Sequence, residues 1–325
     1  MLATGRWQSE GCPPGVHPRS SVVAFQLSAL YSPWVSWARL VREHFEARLK
    51  GARELHGWIN GRLGWIVEDE AFRVSSDLIL RKATRGHKPQ APIGTVAIVS
   101  TADTQRDGWW WVTRAWMRGG QSRLLGWGHA PTFEALRKAA LLNRWPLERG
   151  GEAQPEVLLV DAGGGWDTPD GNMTDRIYRF ASTDGRIKPI KGHGGTTRAP
   201  TRLRQAQSGK ELPPGVELWV VCTQSYKDVL AGRISSEEPE LWQETGLADQ
   251  SYARQMASEH KISVKKGTKT EIVWAPISVG APNHVWDASV YQCAAADMLD
   301  IDTRQEVAYE MEASDWWSGQ KGGSW

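Results

Sequence analysis

The stretch from residue 93 to residue 165 leaves this chain the fewest folds to choose from. "IGTVAIVSTAD", "WWWVTRAWM" and "SRLLGWG" each read as a β-strand, and the linkers "QRDG" and "RGGQ" are short glycine-containing turns of the kind hairpins use. Three such runs in succession predict an antiparallel meander. "TFEALRKAALL" then has helical spacing with Thr132 as its cap, and "EVLLVDAGGG" is an unbroken apolar run, the mark of a strand buried on both faces. A helix between strands allows the fourth strand to lie parallel to the first, which a tight turn cannot do.

The rest of the chain extends this pattern. After the glycine-rich loop, "MTDRIYRFAS" predicts a helix, "RIKPI" a short strand, "VELWVVC" another strand, "SYKDVLAGRI" a helix, and "NHVWDASVYQCAAADML" a terminal helix. A meander, a crossover helix, parallel strands and a closing helix are the element order of an α/β, RNase H-like mixed sheet flanked by helices. Ahead of it, residues 1–90 form a helical lead-in. One helix is expected at about 33–50, with Ser32 as cap and Pro33 at the first helical position, and a second ends near Gly86 before the proline-containing "HKPQAP". The expected boundaries are therefore 1–90 for the lead-in, 91–305 for the nuclease-like domain and 306–325 for a flexible tail.

At 325 residues the chain is long enough to bury a sizeable core. Cys12, Cys222 and Cys293 form no CxxC pair, which excludes a disulfide framework or thiolate zinc cluster and suits a reducing compartment. The first residues have no signal-peptide pattern, and no run of about 18 apolar residues exists to span a membrane. A soluble, cytoplasmic protein without a membrane partner is expected. The 39 basic and 37 acidic residues nearly cancel, but their distribution does not. From Arg186 to Lys210 there are seven basic residues, among them Lys188, Lys191, Arg198, Arg202 and Arg204, and no acid. A second basic loop covers His260 to Thr270. Each run alone is as readily a solvated face as a binding surface, while two of them favour a polyanion partner.

The chemistry-bearing residues follow from the predicted topology. Asp103 ends the first strand and Asp161 ends the fourth, so if these strands are parallel neighbours both carboxylates emerge at one sheet edge. Asp287 lies near the start of the last helix. Val290, Tyr291, Ala294 and Met298 follow it at helical offsets, which puts Asp287 on the stripe that packs against the sheet. Singly, such aspartates are more often turn or cap residues. Together at one edge, they should bind a cation or keep protons at raised pKa. A set of oxygen ligands without His or Cys selects Mg²⁺ or Mn²⁺, and two such ions would serve phosphodiester hydrolysis. Asp107, Asp167 and His284 are auxiliary candidates, with Asp170 nearby; turn forming and capping are their ordinary roles. The eight histidines make no H-x-x-x-H or H-E-x-x-H pattern, and no G-x-x-x-x-G-K-[ST] motif occurs.

"LSALYSPWVSWARLVREHFEAR", "GWINGRLG", "TADTQRDGWWWVTRAW", "LLVDAGGG", "PIKGHGG" and "NHVWDASVYQCAAA" stand in the same order as blocks of the large terminase subunit of lambda-like tailed phages, the GpA family. The resemblance spans about residues 5 to 300. It implies an RNase H-like endonuclease that cuts concatemeric double-stranded DNA during packaging in the infected bacterial cell. Carried over, the family's metal-binding aspartates fall on Asp103, Asp161 and Asp287, and Lys191 matches a basic position expected to meet DNA phosphate. The family's motor motifs are missing, so the resemblance places the start of this chain just after the ATPase. It implies partners in an ATPase domain or chain, a small terminase subunit and the portal protein. Two other readings are weighed against it: a non-catalytic module docking on portal or motor through its Trp-rich surface, and another RNase H-like nuclease such as a junction resolvase.

The three tryptophans after Asp103 are secondary in this reading. Trp109, Trp110 and Trp111 alternate across a strand and cannot form one flat stacking platform, so Trp110 or its two neighbours, but not all three, can face a ligand.

Overall fold

The computed structural model describes residues 27–50, 52–65, 74–163, 165–193, 201–203, 212–266 and 269–306. The tail, Arg198 and Arg204 lie outside the described residues. A mixed sheet of seven strands forms the centre. Its strands are β1 (Thr95–Gln105), β2 (Gly108–Met117), β3 (Ser122–Ala130), β4 (Val157–Asp161), β5 (Ile187–His193), β6 (Thr201–Leu203) and β7 (Leu218–Cys222). Their spatial order is β6-β7-β5-β4-β1-β2-β3. The meander β1–β2–β3 is antiparallel, β4 lies parallel to β1, and β5 and β7 continue the parallel run. The α/β, RNase H-like arrangement expected from the element order is the one observed.

The helices are α1 (Trp37–Lys50), α2 (Ala52–Trp58), α3 (Ser76–Ala83), α4 (Phe133–Ala140), α5 (Met173–Ala181), α6 (Thr223–Ser235), α7 (Gln250–Met256) and α8 (His284–Leu299). Side chains alternate across each strand, so each sheet face has its own core. Val99, Val112, Trp116, Leu159, Ile190 and Val221 face α6, α7 and α8. Ala102, Trp109, Leu158, Val160, Ile187 and Val220 face α4 and α5. Both faces of β4 are buried, and that is why its sequence is an unbroken apolar run rather than an alternating one. From the lead-in, Val74, Ile79 and Ala83 enter the first of these cores.

Three local expectations differ from the structure. The first long helix begins at Trp37, not at 33: Ser36 caps it by accepting from the Arg39 N–H at 3.3 Å, while Ser32 closes a separate short turn. The second basic run is a β-hairpin instead of a loop, built from β8 (Glu259–Lys266) and β9 (Lys269–Pro276). Its alternating apolar positions are half covered by α6 through Trp274, whose indole donates to Asp228 at 2.7 Å. Finally, α8 does not carry one buried stripe: Val285 through Ala296 are buried except Asp287, because the helix is packed against β1, β2, α6 and α7 together. A helix buried all round shows no amphipathic pattern.

Candidate active site

The register of β1 and β4 builds the first half of the site. Ala102 pairs with Val160, so Asp103 and Asp161 follow side by side at the carboxyl ends of two parallel strands, both on the α8 face. Thr104 locks this edge by donating its hydroxyl to the Asp161 carbonyl at 2.6 Å. Buried hydrogen bonds seat α8 over the same edge. The Gln292 amide donates to the carbonyls of Val99 at 3.0 Å and Val112 at 2.9 Å, while its oxygen accepts from the Trp116 indole at 2.9 Å. Thr101 donates to the Ala288 carbonyl at 2.7 Å. A buried glutamine with both ends satisfied by two strands fixes the helix along its axis and in rotation. This docking brings Asp287, in the first turn of α8, to the two strand-end acids.

Each acid has its own protein partners. Asp103 is 5 % exposed; its Oδ2 accepts from Gln105 Nε2 at 2.6 Å and lies 3.1 Å from His284 Nδ1. Asp161 Oδ1 accepts from the Gly163 N–H and from the Tyr291 hydroxyl, each at 3.1 Å. Asp287 Oδ2 accepts from Asn283 Nδ2 at 2.8 Å, and its Oδ1 lies 3.3 Å from Lys227 Nζ. Burial pushes the Asp161 carboxyl up to about 7, reinforced by the charge of Asp103 and opposed by the Gly163 and Tyr291 hydrogen bonds and by Lys191. Asp287 is raised by burial, against the pull of Lys227 and with the repulsion of Asp103 and Glu259 added. The charge of Asp103 acts on both Asp161 and Asp287, and the charges of all three act on the Tyr291 hydroxyl.

Sequence reasoning missed the group that flanks these three acids. Lys227, from α6, donates to both oxygens of Glu259 at 2.8 and 2.7 Å, and Asn283 donates to Glu259 Oε1 at 2.9 Å. Burial alone would lower the Lys227 ammonium, but Asp287 and Glu259 hold its pKa above the usual lysine value. One signal was available: a lysine and an aspartate stand side by side in α6, among residues buried on every side. Asn283 and Tyr291 sit four residues before and after Asp287, hence on its face.

The other candidates fall into two groups. His284 is at the site, bonded to Asp103 as above, and Lys191 is close enough for its charge to act on Asp161. Lys188 lies three residues back along β5, opposite Leu159. Asp107 is in the β1–β2 turn, exposed, with His129 Nε2 at 3.7 Å, and Asp167 is in a small exposed ribbon where Asn172 donates to it at 3.3 Å. The fold does not bring these two aspartates to the other three. Asp170 pairs with Arg176 at 3.3 Å. Arg202 is opposite Trp219 on the edge strand β6.

Of the three tryptophans, Trp110 alone is on the site face, directly across from Asp103. Its ring stacks on His284, 5.8 Å between centroids at 19°, and on Trp127 at 6.2 Å and 14°. Trp109 packs on Phe133 beneath the other face.

Among the described residues, no three His, Cys, Asp or Glu side chains are already gathered as a metal cage. The three aspartates are turned instead toward protein donors. Their chemistry nevertheless suits a hard divalent cation: the candidate ligand atoms are carboxylate oxygens, and burial pushes two of the acids toward the protonated form, so a cation beside them would favour their ionised state. No described helix is long and apolar enough to cross a membrane.

A family model described as terminase large subunit gpA, endonuclease domain, matches residues 22–307. No curated protein and no solved structure matches the chain.

Proposed function

Since the chain belongs to the endonuclease-domain family of the terminase large subunit gpA, and so to the DNA-packaging nucleases, we propose that it is a Mg²⁺- or Mn²⁺-dependent endodeoxyribonuclease that cuts concatemeric double-stranded phage DNA. The observation that carries this reading is the meeting of Asp103, Asp161 and Asp287 at one sheet edge under α8. These three carboxylates would hold two divalent ions. Bound there, such ions supply an activated water and charge stabilisation for the leaving oxygen of a phosphodiester.

The protein's own residues prepare that chemistry. Parallel β1 and β4 hold two carboxylates a strand spacing apart, so little reorganisation is needed when charge develops. Tyr291 and the Gly163 N–H orient Asp161, while His284, braced by the Trp110 ring, orients Asp103. Lys191 and Lys188 would bind the DNA backbone through phosphate contacts, which position a duplex without reading its sequence. Targeting would then come from partners: an ATPase domain or chain, a small terminase subunit and a portal protein.

The test is cleavage of plasmid DNA with Mn²⁺ and with EDTA, using the wild type and Asp161→Asn. Cutting in Mn²⁺ only, lost in the variant, is expected. Cutting that survives EDTA or the substitution would refute the assignment.

A further inference from the structure

The proposed site already contains one cation of its own. Lys227 Nζ lies between two acids, 2.7 and 2.8 Å from the oxygens of Glu259 and 3.3 Å from Asp287 Oδ1. Its side chain is 11 % exposed and that of Glu259 2 %. Asn283 spans the same two acids, donating to Glu259 at 2.9 Å and to Asp287 at 2.8 Å. The contacts are unequal in a telling way: the ammonium is chelated by Glu259 and only leans on Asp287. It can give up Asp287 without leaving its anchor, and Asn283 keeps the two acids in register while it does.

We propose that Lys227 is a placeholder cation, anchored on Glu259, that fills one of the two cation positions beside Asp287 in the free protein, so that a second divalent ion takes Asp287 only by displacing it. This rests on the metal-dependent reading above. Lys227 is thereby a positioning residue, acting through Asp287 and not on the substrate. Glu259 is its anchor and not a metal ligand.

The experiment is calorimetric titration of the full chain with Mn²⁺ in the absence of DNA, with melting temperature followed alongside. Wild type should bind one ion per chain. Lys227→Met should bind two, with the second ion at least on the order of tenfold tighter than any second event in wild type. Lys227→Gln, which keeps a donor toward Glu259 but no charge, should also bind two, and it serves if the Met variant does not fold. Glu259→Gln leaves the ammonium to Asp287 alone, so it should bind one ion, and more weakly than wild type. Two ions bound by wild type as tightly as by the Lys227 variants, or one ion in both folded Lys227 variants, would overturn the proposal while leaving the metal reading intact. No Mn²⁺ uptake by wild type or any variant would overturn both.

Discussion

Asp161→Asn separates the electrostatics of the site from its catalysis, because its effect on stability depends on pH in a way fixed by burial. In the unfolded chain this carboxyl loses its proton near 3.8, and in the folded protein near 7. Between those values the folded state keeps a proton that the unfolded state has released, so stability falls as pH rises through this window and stays reduced above it. Each tenfold change in proton affinity is worth about 1.4 kcal/mol, which sets a ceiling of about 4 kcal/mol on the cost at pH 8. Asp161 is half-buried, not sealed, and screening by the water that reaches it reduces the figure to about 2 kcal/mol. Asparagine has the same shape, can accept from Tyr291 and never ionises. Without divalent cation the variant should therefore melt about 4 °C above wild type at pH 8 and level with it near pH 4. The measurement is thermal melting in EDTA at half-unit steps from pH 4 to 8, followed by repetition in Mn²⁺. Binding to the folded state stabilises wild type by mass action, so Mn²⁺ should close or reverse the gap at pH 8. Parallel curves for variant and wild type from pH 4 to 8 would refute the reasoning.

Other positions test the frame around the site. Arg114 is fully buried, 3.2 Å from Glu244 Oε2 with its guanidinium 3.6 Å from the Trp242 ring centroid, so Arg114→Met strands a buried carboxylate. A loss of about 3–5 kcal/mol is expected by denaturant unfolding, recovered in part when Glu244→Gln is added, which removes the charge and keeps an acceptor for the Trp242 indole and the Tyr252 hydroxyl. Gln292→Leu leaves the carbonyls of Val99 and Val112 and the Trp116 indole without their partner. It should cost about 3 kcal/mol, and because α8 carries Asp287, cleavage should fall even where the protein remains folded. Lys188→Gln and Lys191→Gln should each weaken duplex binding equally for unrelated sequences, and each should lower the slope of log affinity against log salt by about 1, as measured by fluorescence anisotropy. A variant that changed sequence preference instead would point to base contact.

What was legible in the sequence was whatever local spacing controls. Period-two strands, short glycine turns and one apolar run announced the meander and its parallel fourth strand, and from that topology the meeting of Asp103 and Asp161 followed, because neighbouring parallel strands end at the same edge. The family likeness covers the same ground, since residues 22–307 match as one unit. Local spacing failed where burial comes from several directions at once. The stripe read on α8 was not a stripe, because four elements surround that helix, and the basic run after His260 hid a hairpin whose inward residues meet α6.

Tertiary structure alone decided which charged groups share the site. Lys227, Glu259 and Asn283 come from three elements, more than 30 residues apart for the first two, and nothing in their neighbours' spacing couples them. His284 is within reach of Asp103, 181 positions away, only because Gln292 fixes the rotation of α8 over β1 and β2. Asp107 and Asp167, auxiliary candidates whose ordinary role is turn forming, lie in an exposed turn beside His129 and an exposed ribbon beside Asn172. A strand's ends are set by its own residues and those beside it. The partner of a buried charge is set by how whole helices pack, since only packing brings distant donors within hydrogen-bond range of a carboxylate that water no longer solvates.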